Sequence, residues 1–361
     1  MTITDTCKKT VFTVTGIRPD FIRMSQVFKK LDENFNHVLV HTGQHYDKLL
    51  SDVFFDELEI RKPDYNLGIG KPGALHYHQS GDLSIKLIEL LKDYEKENNT
   101  NVECIIFLGD SNSVCVAPQL KKEGYRVAHI EAGMRSYDKR MLEEINRIVC
   151  DHCSDFLFVY HDNYVKKLEK ENIKEKVFNV GNTIVEVLNG VHDFKKPKSL
   201  DYIVLDIHRP ENFKYKERLI NILNFANTFK PITVYMLNFK RTLQNIKDFG
   251  INLDEYKNIK VVDLLPYKKF VDLQYNAYCL ISDSGTAQEE PALMNTPVIV
   301  PRDFTERPES VESGCSIMVD ANKKINPTPV DNFITNYNPQ LSWLGEGNTS
   351  NLIIESLKES L

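Results

Sequence analysis

The 361-residue chain is longer than one hydrophobic core usually supports, since single cores stop growing near ~250–300 residues, so two domains are expected. Hydrophobic residues at 42% and charged residues at 27% exclude a disordered chain. Lys and Arg number 45 against 51 Asp and Glu, a net charge of -6, which gives no global basic field for nucleic acid or an anionic membrane.

Short β-branched runs alternate with amphipathic stretches along the whole chain. The predicted strands are Thr10–Thr15, His37–Thr42, Glu103–Gly109, Arg126–Ile130, Phe156–Tyr160 and Val177–Gly181. A second series comprises Tyr202–Ile207, Ile232–Leu237, Ile259–Leu264, Tyr278–Ser282, Pro297–Val300 and Ser316–Val319. Most are apolar throughout, as strands covered on both faces of a parallel sheet are. Helical patterns lie between them, among them Asp82–Asn98, Asn112–Glu123, Tyr164–Glu171, Glu217–Phe229 and a final Asn351–Leu361. This alternation predicts doubly wound α/β structure. A polar, basic stretch with a proline, His192–Asp201, marks a linker. The expectation is two Rossmann-like domains facing a cleft, residues 1–190 and 200–345, with residues 346–361 as a closing segment.

No apolar run reaches the ~18–20 residues of a membrane span. The first nine residues lack the apolar core of a signal peptide, and seven cysteines is an odd number. The expectation is a cytoplasmic protein without a disulfide framework. Cys150 and Cys153 form the only close pair, and no second pair at zinc spacing accompanies them. Gly68-Ile69-Gly70-Lys71-Pro72-Gly73 matches G-x-G-x-x-G, but turn-like residues precede it and Pro72 stiffens it, so it reads as a loop and not as a dinucleotide site. No Walker-A sequence and no Asp-x-Asp pair are present. No metal and no cofactor is expected, so bound phosphates would rely on backbone amides and arginines.

Ligands of such folds sit beyond the carboxyl ends of the strands. The residues there are Gly16-Ile17-Arg18-Pro19-Asp20, Gly43-Gln44-His45, Gly109-Asp110-Ser111, Glu131-Ala132-Gly133-Met134-Arg135, Gly181-Asn182-Thr183, His208-Arg209-Pro210-Glu211-Asn212, Ser282-Asp283-Ser284-Gly285-Thr286 and Arg302-Asp303. In Ser282–Glu290, a strand end runs into Ser284-Gly285-Thr286, whose amides and hydroxyls would suit an anion at a helix start. Glu290 is placed to accept ribose hydroxyls, and the plain alternative for the whole stretch is an N-cap. Arg18, held by Pro19, presents a planar fork that suits phosphate, with Arg23 within reach of the same place. Asp110, Glu131 and Glu143 are the acid–base candidates, each with a helix cap or first-turn acid as its simpler explanation. His208 is a candidate phosphate partner or proton donor, and Arg307 would join it.

Taken together, Thr15–Asp20, Gly109–Ser113, His129–Arg135, Glu143–Arg147, Gly181–Thr183, His208–Asn212, Asp283–Glu290 and Arg302–Glu309 resemble the non-hydrolysing UDP-N-acetylglucosamine 2-epimerase family, in its order and spacing. The resemblance implies a glycosyltransferase-B type fold, with the C-terminal helix packing back on the first domain. It also implies a homodimer and a UDP-2-acetamido sugar as substrate, inverted at C2 by elimination of UDP to a glycal and re-addition, without metal or NAD. By the same resemblance Asp110, Glu131, Glu143 and His208 are catalytic. Arg18, Arg23, Gln44, His45, Arg135, Arg147, Ser284, Gly285, Thr286, Glu290 and Arg307 contact the UDP-sugar. Val40–Asp47, Phe54–Leu58 and Arg61–Tyr65 look closer to the subgroup that acts on UDP-2-acetamido-2,6-dideoxy-L-hexoses, for which Met134 or Tyr137 would supply an apolar pocket. The alternatives are epimerisation of UDP-N-acetylglucosamine to its manno isomer, and a glycosyltransferase on the same fold.

Overall fold

The computed structural model describes residues 8–43, 52–70, 75–191, 194 and 196–361. The chain divides into two units, the first Met1–Val187 with Leu344–Leu361 and the second Leu188–Trp343.

Among the described residues the first unit carries seven strands: β1 (Thr10–Thr15), β2 (Asn36–His41), β3 (Tyr65–Asn66), β4 (Val102–Leu108), β5 (Val127–Ile130), β6 (Phe156–Val159) and β7 (Lys176–Asn179). They lie in the order β3-β2-β1-β4-β5-β6-β7, and every pairing is parallel. β1 is buried at all six positions, the result of helices covering both faces. Its helices include α1 (Arg18–Asn34), α2 (Asp52–Leu58), α3 (His76–Asn98), α4 (Ala117–Lys122), α5 (Glu143–Cys153) and α6 (Asp162–Lys170). α3 buries Leu83, Leu87 and Leu91, spaced four apart, against Phe12, Val14, Ile105 and Phe107 of the sheet. Burying a leucine of this kind is worth about 2 kcal/mol, so Leu87→Ala would cost ~2–5 kcal/mol.

The C-terminal helix Thr349–Ser360 belongs to this unit and packs on α1. Ser350 N donates to Glu186 Oε1 at 2.9 Å, and Lys358 Nζ to Asn34 Oδ1 at 2.6 Å. Gly181 (φ +76°) lies against Gly345, where a Cβ would come within 3.2 Å of the facing Cα, so this crossing requires glycine.

Among the described residues the second unit has six strands: β8 (Tyr202–Asp206), β9 (Thr233–Leu237), β10 (Ile259–Val262), β11 (Cys279–Ser282), β12 (Val298–Val300) and β13 (Ser316–Met318). Their order is β10-β9-β8-β11-β12-β13, again parallel throughout. Both sheets therefore reverse direction of growth once, between β1 and β4 and between β8 and β11. These are the switch points at which doubly wound sheets open a crevice for ligands.

Two expectations need correction. A two-residue strand, β3, precedes Gly68, where only a turn is expected; it is an edge strand too short to give a periodic signal. Residues 71–73 of that glycine loop lie outside the described residues. The helix expected over Asn112–Glu123 is a 3-10 turn, Asn112–Val116, followed by α4. Pro118 lacks an N–H and fits only the first turn of a helix, so α4 starts afresh there.

No described helix is long and apolar enough to cross a membrane. The six described cysteines are free thiols. Burial raises the thiol pKa of Cys104 and Cys279 far above the usual range, which leaves them inert.

Candidate active site

In the first unit the chemistry gathers at the carboxyl ends of β1, β4 and β5. Leu108 of β4 is the register partner of Ile130 of β5. Asp110 and Glu131 therefore leave adjacent strands side by side. Gly109 makes the turn before Asp110 with φ +72°, a conformation that costs a glycine little. Glu131 adopts φ +71° although it carries a side chain. A left-handed backbone at a non-glycine residue costs of order 1–3 kcal/mol and is tolerated where the surroundings enforce it. Here the Ala132 amide is held by the Phe158 carbonyl at 3.1 Å, and Gly133 (φ +79°) sits so close to Tyr164 that a Cβ would meet its Cβ at 2.8 Å.

The Glu131 carboxylate is buried. It pairs with Arg23 Nε at 3.1 Å and accepts from the Tyr160 hydroxyl at 3.4 Å. Arg23 also donates to Asn182 Oδ1 at 3.2 Å, and Tyr160 shares a hydrogen bond with Thr183 at 3.0 Å. Asp110 is paired with the Arg147 guanidinium. Arg147 also donates to Glu144 Oε2 at 3.0 Å.

Adjacent acids at the start of α5 have separate tasks. Glu144 is buried and accepts from Ser136 N at 2.9 Å, Tyr137 N at 2.8 Å and Ser136 Oγ at 3.0 Å, which fastens the loop before α5. Glu143 is half-buried, at the first position of the helix.

Asp20 is a further carboxylate in this cluster that sequence reasoning did not place in the site. Its Oδ2 accepts Gly16 N at 2.7 Å and Ile17 N at 3.1 Å, which closes the first turn of α1. Burial pushes its pKa up to about 7 against those two amide bonds, and Asp110 and Glu131 add to the rise. The signal in sequence is its spacing, four residues after Gly16 at the end of β1.

In the second unit the equivalent loops follow β8 and β11. Asp283 has both oxygens committed: Oδ1 accepts His208 N at 3.0 Å, while Oδ2 accepts Arg209 N at 3.1 Å and Asn212 Nδ2 at 3.0 Å. His208 Nδ1 donates to Asp206 Oδ1 at 2.8 Å, which fixes the ring. Burial works to lower the His208 pKa, but the Asp206 carboxylate, helped by Asp283, outweighs it and the pKa is raised. Asp206, His208 and Asp283 offer ligand atoms within 4.8 Å of one another, a spacing that would admit a cation.

The phosphate-loop candidate differs from expectation. Thr286 opens a three-residue 3-10 turn, and a separate four-residue helix, Glu290–Leu293, follows. Pro291 cannot sit inside a continuous helix, because it lacks the N–H and blocks the carbonyl four residues before it. The loop itself is tightly made. Ser284 N donates to Ser282 Oγ at 3.1 Å, and Ser284 and Thr286 share a hydroxyl hydrogen bond at 3.0 Å. A Cβ on Gly285 would meet Glu306 Oε1 at 2.3 Å and Arg307 Nη1 at 2.5 Å, so glycine is needed for the close approach. Glu290 is buried.

Four of the arginines expected at a ligand are engaged by buried acids of their own unit. Arg23 holds Glu131, and Arg147 holds Asp110 and Glu144. Arg135 holds Asp151 and Glu171, both at 2.7 Å, and Arg307 holds Glu289 at 2.7 Å and Glu306 at 2.8 Å. A buried guanidinium needs such partners, and sequence does not reveal them. Arg18 is half-buried over the Phe54 ring, 5.1 Å from its centroid. Gln44 and His45 lie outside the described residues. Met134 is fully buried and Tyr137 is 71% exposed.

Two parallel Rossmann-like units, one with carboxylates at its switch point and the other with a tight Ser-Gly-Thr loop, define an α/β enzyme of nucleotide-sugar type. Comparison with known proteins gives the family. The UDP-N-acetylglucosamine 2-epimerase family model matches residues 29–358. A curated UDP-N-acetylglucosamine 2-epimerase of Methanocaldococcus jannaschii is 37% identical over 86% of this chain and 88% of its own. A UDP-2,3-diacetamido-2,3-dideoxy-D-glucuronate 2-epimerase of Pseudomonas aeruginosa is 32% identical, with 86% of this chain and 88% of its own covered. The crystal structure of the M. jannaschii UDP-GlcNAc 2-epimerase in complex with UDP-GlcNAc and UDP superposes with a TM-score of 0.86 at 33% identity, covering 97% of this chain and 99% of that one. The chain belongs to the UDP-N-acetylglucosamine 2-epimerase family and is an isomerase, a UDP-sugar 2-epimerase. The names of these relatives favour the UDP-N-acetylglucosamine reading over the 6-deoxy-L-hexose one.

Proposed function

We propose that this protein interconverts UDP-N-acetylglucosamine and its C2 epimer, UDP-N-acetylmannosamine. The observation that carries the reading is the pair of carboxylates, Asp110 and Glu131, leaving adjacent strands at the switch point, with Glu143 opening the helix next to them. The likeness to a structure holding UDP-GlcNAc and UDP supports it.

The chemistry follows from the groups. Inversion at C2 needs one group to remove the C2 proton and another to return a proton to the opposite face. Asp110 and Glu131, on neighbouring strand ends, are the two groups offered for these transfers. Departure of UDP across C1–C2 leaves a glycal, and re-addition completes the cycle. Negative charge develops on the departing diphosphate. In the second unit, His208 and the Ser284–Thr286 loop are the groups offered to it. Glu290 would take the ribose hydroxyls.

We further propose a homodimer. Leu142, Ile145 and Ile148 are exposed at 57%, 55% and 39%, on one face at the start of α5, and a second copy would cover that stripe.

The test is NMR of UDP-N-acetylglucosamine with the protein in D2O and no acceptor. Appearance of the manno isomer with deuterium at C2 supports the reading. Turnover of a UDP-6-deoxy-L-hexose in preference to it would overturn the substrate, and sugar transfer only with an acceptor would overturn the reaction.

A further inference from the structure

His129 lies in β5, wholly buried, and both of its ring nitrogens are used. Nδ1 is 2.7 Å from Asp151 Oδ1 and Nε2 is 2.7 Å from the Gly109 carbonyl. A carboxylate and a carbonyl only accept hydrogen bonds, so both nitrogens must donate. A ring that donates twice is an imidazolium. Burial works against that charge, but Cys150 and Asp151 raise the pKa well above the usual imidazole value, and Asp151 is correspondingly lowered.

The three elements joined by this ring are the three that bear the candidate carboxylates. β5 ends at Ile130, and Glu131 follows it directly, two residues beyond His129. The Gly109 carbonyl belongs to the residue immediately before Asp110. Asp151 lies on α5, whose first residue is Glu143. The other Asp151 oxygen, Oδ2, accepts the Gly133 amide at 3.0 Å and pairs with Arg135 at 2.7 Å, which fastens the chain just beyond Glu131. The titratable and charged groups around the ring are thus Asp151 and Cys150 from α5 and, through Asp151, Arg135, itself balanced by Glu171.

We propose that His129 is a positioning residue for the epimerisation, a permanent imidazolium that sets the spacing of Asp110, Glu131 and Glu143 by hydrogen-bonding across the three elements that carry them. It touches no substrate. It acts by holding a pair of strand ends and a helix start in one register, as proton transfer to opposite faces of one carbon demands. A displacement of about 1 Å at such a site costs ~100-fold in rate. The inference rests on the reading of those carboxylates as the reacting groups.

The experiment combines spectroscopy with kinetics. In 15N-histidine spectra, the signals absent from His129→Gln identify the ring. They should show both nitrogens protonated from pH 6 to 9. A neutral ring at pH 7 overturns the proposal, and this measurement needs only the wild-type fold with the variant as an assignment aid (or Asp151→Asn, should His129→Gln not fold). In kinetics, His129→Gln should lower kcat by about 100-fold and slow deuterium entry at C2 in parallel, with KM and UDP affinity within about threefold. Unchanged kcat, or a loss entirely in KM, overturns the proposal. Asp110→Asn, Glu131→Gln and Glu143→Gln are measured alongside. If they keep full rate, the reading of the carboxylates fails; if they are inactive while His129→Gln is not, the positioning role alone fails.

Discussion

Arg23 Nε stands 3.1 Å from Glu131 Oε2, with both side chains buried. A carboxylate on a strand end and an arginine on the first helix thus neutralise each other inside the protein. Burial of either alone would be costly. Arg23→Met should therefore destabilise the first unit by about 3–5 kcal/mol. Urea denaturation is the measurement. Equal stability of Arg23→Met and wild type would show that the pair contributes nothing.

Adjacent Glu143 and Glu144 should separate cleanly. Glu144→Gln removes the charge that holds Ser136, Tyr137 and Arg147, and should cost about 1–3 kcal/mol of stability. Glu143→Gln should cut turnover by at least ~100-fold. Thermal unfolding and initial rates of the two variants decide it; the reverse pattern would exchange their roles.

Asp20 gives a pH signature. Its pKa rises from 3.8 to about 7 on folding, so the native state holds a proton that the unfolded chain releases. The unfolded state binds fewer protons over that interval, and stability from this group falls as pH rises from about 4 to 7. Asp20→Asn, which keeps an acceptor for Gly16 N and Ile17 N, should flatten that fall. Chemical denaturation across pH 4–8 is the measurement, and parallel curves for the two proteins would contradict the raised pKa.

His208 gives a second pH signature, in binding. Its raised pKa keeps the ring cationic below that value, and the charge is lost as pH climbs through it. UDP affinity should weaken over that climb in wild type. His208→Gln should bind UDP more weakly at pH 6 and show little further change with pH. Isothermal titration calorimetry at several pH values tests this.

Gly285→Ala would bring a Cβ against Glu306 and Arg307, which are locked in buried ion pairs and have little room to yield. The expected cost is about 1–3 kcal/mol in stability with weaker UDP binding. Wild-type affinity and melting temperature in this variant would mean that the loop can move.

The strand–helix alternation, the parallel sheets and the loops at the strand ends were legible in sequence. Apolar runs of four to seven residues form only where both faces are covered, and Gly, Asp, Glu and Ser after each run mark the strand ends. β1 over Thr10–Thr15 and Glu143 at a helix start are read directly from such patterns. Pairing was not legible. Nothing in the order of residues says that Arg23 meets Glu131, 108 positions away, or that Arg147 meets Asp110 and Arg307 meets Glu289. Arginines that read as ligand contacts are held by buried acids, because an ion leaving water needs a partner that only folding supplies. The charged His129 is decided in the same way: its sequence neighbours give an apolar strand, and only the approach of Asp151 and the Gly109 carbonyl makes it a cation. Local sequence determined where most of the strands and helices form; tertiary contact decided which of the ionisable groups at their ends are paired, charged and fixed in place.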